Sequence, residues 1–439
     1  MMRSPIIQSI RTWMRNMKKR PGSRFALYFL GLMLCLGMFS SILATDQPLF
    51  ASYKGNWWFP AFTSIWDKTR TETVADDKTG VKETIQFDIQ NWKTTEFDFV
   101  IWAPIPWSPD KPDPLNRDYS GPLSKQYSKL PTGEIVESNW FHRHHFGTDQ
   151  LGNDVLSGIV HGASISIQIG LFSAFIAGLL GLFLGALSGY FGDDRLRLTR
   201  VSLIFSIPGI FVGYFWAFQV RSYALTDALK DGFIAITLQV LWSILLMFFV
   251  VGCFFIAGKM LSKIKWLGKP IVIPFDNVIQ RITEVFISMP RLLVILTIAA
   301  VFREKSVAMV ITIIGITHWT SIARFTRAEM FRVRDLEYVE AARALGYPWY
   351  RIILRHALPG VIGPAMIEII FLISGSILIE SSLSFLGIGV PDNIVTWGSI
   401  LNAGRMQIDA WWMIVFPGIF IFLTILSLNI FGDSIRKSR

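Results

Sequence analysis

The chain has 439 residues, of which 52% are hydrophobic, 14% aromatic and only 17% charged, more apolar and less charged than a soluble protein of its length. A net charge of +10 would point to nucleic acid in a soluble protein, but in a membrane protein it asks which face collects Lys and Arg, and no nucleic-acid partner is expected. The two cysteines, Cys35 and Cys253, lie in separate apolar stretches, which excludes a disulfide framework and a cysteine metal cluster.

A helix needs about 20 mostly apolar residues to cross the hydrocarbon core. Residues 1–24 are a basic N-terminal segment, and 25–45 form a first apolar run. That run is too long for the apolar core of a signal peptide and reads as a retained anchor. Residues 46–154 are hydrophilic yet rich in tryptophan, which argues for a small folded insert and against a disordered linker. Its middle, TRTETVADDKTGVKET, reads as a polar hairpin or loop, and the whole as a structural cap. Near its end FHRHHFG gathers His142, His144 and His145, either a metal site or, more plainly, a solvated loop.

The remaining residues, 155–432, read as a membrane domain with a tail at 433–439. Apolar runs occur at Val155–Gly192, Val201–Val220, Gly232–Gly258, Ser306–Ala323 and Ala410–Gly432. Two weaker ones complete the series: Ile282–Phe302, which carries Glu284, Pro290 and Arg291, and Val361–Ile379, which carries Glu368. With the first run the expectation is about eight transmembrane helices. Of Gly178, Gly181, Gly185 and Gly189, the last three are spaced by four and share a helix face, where small side chains allow close packing against another helix. With the N-terminus inside, basic residues concentrate on the cytoplasmic side and acids on the outer side, so both termini are expected in the cytoplasm and the insert outside.

Residues 324–360 are too long and too patterned for a turn. Leu336, Val339, Ala342 and Leu345 fall near one stripe of a helix around Glu337–Gly346, with Arg332, Glu340 and Arg343 elsewhere, and Gly346 ends it. A second helix is expected around Trp349–Ala357, and Leu358-Pro359 starts the return to the membrane. A short amphipathic helix between turns is a docking element for a partner groove. Two acids, Glu368 and Glu380, are expected on the seventh membrane helix, where ionisable groups default to function. Glu368 would pair with Arg291 or line a pathway. No catalytic set is visible; GCFFIAGKM has one residue too many between its glycines and no hydroxyl, so it is no phosphate loop.

Glu340-Ala341-Ala342, Gly346 and Leu358-Pro359 together resemble the EAA loop of permeases of ATP-binding-cassette importers, with His356 where isoleucine is usual, as in peptide permeases. FGTDQLGNDVLSGIVHGASIS, through Gly147-Thr148-Asp149, Leu151-Gly152 and Asp154-Val155-Leu156, and ESSLSFLGIGVPDNIVTWGSIL, through Gly387, Gly389, Pro391 and Trp397, resemble the oligopeptide and dipeptide branch. Asn153 stands where that branch has arginine. The insert is similar, more loosely, to that of microcin-C-type peptide importers, through ATDQPLF, WFPAF and WAPIPWSP.

The resemblance implies an all-α polytopic fold with a type I (MetI-like) importer core, enlarged by an extra helix pair near 201–258 that leaves later loops on their original sides. It implies a non-enzymatic permease that passes peptides, with nickel or another small solute as the alternative. Expected partners are a second permease, ATPase subunits that hold ATP and magnesium, and a periplasmic or lipid-anchored binding protein, all at the inner membrane lipid. Glu340 would contact the ATPase, Ala341 and Ala342 would let the helix sit close, and Glu380 would serve a periplasmic gate. A secondary transporter, the rival of another class, would need inverted repeats, and none is visible.

Overall fold

The computed structural model describes residues 20–437 apart from 54–55, 67–70, 76–81, 87–91, 96, 131, 231–232, 263–269 and 302–304. Most of the expected N-terminal segment, the centre of the expected polar hairpin, Phe302 and the last two residues of the tail lie outside the described residues. The helices in chain order are α1 (Pro21–Met38), α2 (Val155–Phe191), α3 (Arg200–Tyr214), α4 (Phe233–Leu261), α5 (Phe275–Ser288), α6 (Arg291–Val301), α7 (Val307–Arg334), α8 (Glu337–Ala344), α9 (Leu358–Phe385), α10 (Trp397–Gly404) and α11 (Trp412–Lys437). Further helical segments, among them Pro60–Trp66 and Ser222–Lys230, join them. Among the described residues seven helical runs are long and apolar enough to span a membrane, and α5 with α6 makes an eighth if counted as one broken span.

That broken span lies where one run was expected over Ile282–Phe302. It begins at Phe275 and bends by 81° between Ser288 and Arg291. Pro290 supplies the cause: it has no N–H to donate and drives Met289 to extended backbone, φ −87° and ψ 133°. Two further boundaries move. The helix that carries the sixth run extends beyond Ala323, through Arg324, Arg327 and Arg332 to Arg334. The helix at Trp349 does not stand alone either; it passes through a wide turn at Ile352–Ala357 into α9, one run from Trp349 to Phe385.

The chain divides into two compact units, residues 1–171 with 374–439, and residues 172–373. In the first, α1 packs on α11, and the insert carries a three-stranded antiparallel sheet. Its strands are β1 (Pro48–Tyr53), β2 (Asn56–Trp58) and, beyond the hairpin β3 (Thr71–Ala75) and β4 (Lys82–Gln86), β5 (Phe99–Trp102). The order is β2-β1-β5, with Ala51 opposite Trp58 and Ser52 opposite Phe99. Buried Trp58 and Trp92, flanked by Tyr53, Phe97 and Trp102, form a small aromatic core. Rings that large exclude enough water to hold a sheet this small.

In the second unit α3 and α4 pair along their lengths. Gly209 admits Phe254, Gly213 lies against Met247, and Gly258 lies against Ser202. A two-stranded ribbon, β6 (Arg197–Thr199) and β7 (Pro270–Val272), closes the base of this pair with Leu198 opposite Ile271.

Candidate coupling surface and transport path

Helix α8 rests on a core of its own unit. Val339 and Ala342 are buried with Tyr190, Met330, Val333, Ile352 and Ala357. The expected stripe is therefore half correct: Val339 and Ala342 face inward, whereas Leu345 is 72% exposed because the helix stops at Ala344. Glu340 and Ala341 face solvent. Ala342 is buried in this chain's own core, and Ala341 is the alanine left on the outer face. Gly346 follows with φ +77°, the left-handed conformation that ends a helix, in open space. Leu358 packs on the edge of the same core and Pro359 is exposed. Around α8 the surface is apolar: Tyr338, Leu345, Trp349, Tyr350 and Leu354 are each at least 48% exposed.

Arginines fix this helix to its neighbours. Arg334 donates to the Gly189 carbonyl at 3.0 Å, and Arg343 donates to the Arg334 carbonyl at 3.3 Å. Both carbonyls lie in last helical turns, where no intrahelical N–H remains to serve them. Asp335, between α7 and α8, accepts from Arg195 at 3.0 Å. Its slight burial works against the charge, but Arg195 and Arg334 outweigh that and hold the carboxyl below its ordinary range. Inside the unit Arg327 clamps Asp276 with two nitrogens, and Ser188 donates to the same carboxylate.

The glycines of α2 do what their spacing predicts. A Cβ on Gly181 would lie 2.6 Å from Ile322 Cβ, and one on Gly189 2.7 Å from Met330 Cβ. Gly185 faces Ala323 and Thr326, and Gly178 meets Ile369. Trp319, Ile322, Ala323, Thr326 and Met330 are the matching buried face of α7.

In the first unit the Gly387–Trp397 loop is packed inward. Glu380 is fully buried and accepts from Ser384 at 2.9 Å and Ser166 at 3.1 Å. Trp397, also fully buried, donates to the Ile159 carbonyl at 2.9 Å, and its ring fills the notch left by Gly162. Gly387 takes φ +78°, and Gly389 leaves no room for a Cβ against Ser384. Pro391 lies half-buried in the same loop.

The histidine stretch is not a solvated loop. His144 is fully buried, with Nδ1 2.8 Å from Asp154 and Nε2 3.3 Å from Asp113. Gln126 holds its backbone at both N–H and carbonyl, and Trp107 lies over its ring. With both nitrogens facing carboxylates, His144 has none left for a metal; His142 turns to Trp102 and His145 to Trp140. Burial disfavours the imidazolium, yet the hydrogen bonds and charges of Asp113 and Asp154 prevail and raise its pKa. For Asp113, burial is likewise outweighed by His144, Asn116 and the Leu115 N–H, and its pKa falls. Burial also lowers Lys93, which lies over Trp107, to about 7 against the pull of Asp113, Asp46 and Asp154, and burial with the Lys93 charge lowers His142. Asp154 also accepts the Ser157 N–H at 2.6 Å and so caps α2. Thr148 is pinned by Trp412, which donates to its carbonyl at 3.1 Å, while Asn153 serves only Asp149, at 2.8 Å.

Arg291 and Glu368 do not pair. Arg291 donates to Ser321 at 3.1 Å, and Glu368 stands, with Ser321, on the wall of a cavity of about 470 Å³.

Residues 266–438 match the family described as the binding-protein-dependent transport system inner membrane component. The chain is 26% identical to the inner membrane ABC transporter permease protein YejE of Escherichia coli (strain K12), over 99% of this chain and 97% of that one. It is 25% identical to the peptidoglycan transport system permease protein YejE of Agrobacterium fabrum, over 98% of this chain and 91% of that one. A Brucella suis protein named as a candidate peptide transport system permease is 36% identical over 37% of this chain and 55% of its own, so the chain spans about half the length of that relative.

Proposed function

We propose that this chain, whose residues 266–438 form a binding-protein-dependent transport inner membrane component domain, is the permease subunit of an ATP-driven importer of peptides. The observation that carries the reading is α8: an exposed helix with an apolar surround, tied by Arg343 to the end of α7, which Arg334 in turn ties to the end of α2. Large exposed apolar patches on a folded surface mark interaction sites, and a short helix presented this way suits a groove on a partner.

In this reading an ATPase subunit, which binds ATP and magnesium, receives α8. Glu340, Ala341 and Leu345 meet it, while Gly346 sets the turn, and Leu358 and Pro359 lead back to the membrane. Both termini and α8 lie in the cytoplasm; the insert and the Gly387–Trp397 loop lie outside, where a binding protein delivers substrate. Glu380 serves there as a packing anchor of the outer loop, since its carboxylate is fully engaged by serines. A second permease completes the path. Peptides released from peptidoglycan are a specific substrate class within this reading, because a relative aligned over almost the full length is named for peptidoglycan transport.

The experiment is purification of the tagged chain from its host in mild detergent, with mass spectrometry of what accompanies it, followed by peptide uptake in vesicles with and without ATP. Recovery of a second permease and an ATPase, lost on changing Leu345 to aspartate, supports the reading. Recovery of the chain alone, with uptake indifferent to ATP, would sink it in favour of a secondary transporter.

A further inference from the structure

Helix α7 has two faces of opposite character. One, through Trp319, Ile322, Ala323, Thr326 and Met330, is buried against the α2 glycines. The other, through Ser321, Arg324, Phe325 and Ala328, follows the spacing i, i+3, i+4, i+7 and lines a cavity of about 470 Å³, with Gln280 and Glu368 also on its wall. That volume lies within the range of small-ligand sites. Three charged side chains reach the cavity. Arg327 is neutralised by Asp276. Arg324 and Glu368 are not: among the described residues neither forms an ion pair or a side-chain hydrogen bond, with each other or with any other group.

Glu368 lies within a run apolar enough to span the membrane, Trp349–Phe385, and Arg324 follows directly on the charge-free part of another, Val307–Arg334. An ionisable group at such a position is costly and is retained where it faces a wet path or a partner charge. Packing of α7 on α2 does not require Arg324, since the packed face of α7 is the opposite one, and Glu368 is only half-buried on α9. A peptide leaving water brings its own ammonium and carboxylate groups, which need replacement partners on the way.

We propose that Glu368 and Arg324 form a charge-reading subsite of the transport path, Glu368 taking the side-chain ammonium groups and Arg324 the side-chain carboxylate groups of a passing peptide. This rests on the importer reading. The subsite sorts peptides by side-chain charge while leaving neutral peptides nearly indifferent to either residue.

The test uses the complete importer, with its native partners, in proteoliposomes supplied with ATP. Labelled tripeptides carrying Lys, Ala or Glu at the central position are compared as ratios of uptake rate. Loss of one charged contact should lower the matching ratio about five- to tenfold: Glu368→Gln should lower Lys relative to Ala, Arg324→Gln should lower Glu relative to Ala, and Glu368→Asp should largely restore the first ratio. Unchanged ratios in both variants, or equal loss of all three peptides in assembled complexes of both, would overturn the subsite while ATP-driven uptake by the wild type kept the importer reading intact. A wild-type importer that moves none of the peptides with ATP would overturn both.

Discussion

His144 Nδ1 lies 2.8 Å from Asp154 Oδ1, with the side chains 0% and 1% exposed. Replacing His144 with phenylalanine leaves two carboxylates facing each other with no cation between them. Breaking a buried pair from one side costs about 3–5 kcal/mol. The measurement is thermal unfolding of the purified protein followed by the tryptophan fluorescence of the insert; an unchanged midpoint would contradict the network.

The same network predicts a pH window. The raised pKa of His144 gives a stabilisation complete below the ordinary histidine value and lost as pH rises through the folded value. The lowered pKa of Asp113 gives one complete above the ordinary aspartate value and lost as pH falls through the folded value. Between about pH 4 and 6.5 both contribute in full. Lys93, lowered to about 7, acts oppositely and adds stability as pH rises above that value. Lys93→Met should therefore expose the alkaline fall due to His144, seen as a midpoint that drops more steeply above pH 7 than in the wild type.

Gly181 and Gly375 separate packing from mere helix propensity. A leucine at 181 meets Ile322 and the Trp319 carbonyl, so α2 and α7 cannot keep their approach. Overpacking of this kind costs about 1–3 kcal/mol or more. Alanine at 375, where nothing lies within 4 Å, should be neutral or slightly stabilising. Detergent unfolding midpoints of the two variants check both expectations, and equal effects would refute the close-packing account.

On α8, inner and outer residues should fail differently. Val339→Ala removes two methyl groups from a fully buried site and should cost about 1–2 kcal/mol in the isolated chain. Leu345→Asp alters a residue 72% exposed and should leave the isolated chain's midpoint unchanged while abolishing recovery of the ATPase. Gly346→Ala imposes a Cβ at φ +77° and should cost about 1 kcal/mol.

Features encoded by local periodicity were legible before the fold. The glycine face of α2 repeats at the spacing of one helix face, and the Glu337–Ala344 helix has its inward Val339 and Ala342 three residues apart. Tryptophans foretold a folded insert because rings of that size need a core. Non-local pairings were not legible. His144 meets Asp113 across 31 residues, and Arg327 meets Asp276 across 51, and neither distance has a sequence period. Helix ends were less legible than helix faces: α7 continues past Ala323 to Arg334, with Arg327 held by Asp276 and Arg324 beside a cavity.

The ribbon formed by Leu198 and Ile271 places the two ends of the α3–α4 segment side by side, and the Ile273 N–H bonds the Leu196 carbonyl at 2.9 Å. Neighbouring strands stand about 4.8 Å apart, so the gap left by removing everything between them is one that a tight turn can bridge. The helix pair is thus a graft with a single stem. It can be gained or lost as one piece without re-threading α2 or α5, and a shortened chain that joins Leu198 to Ile271 through a two-residue turn should retain the Asp276–Arg327 clamp.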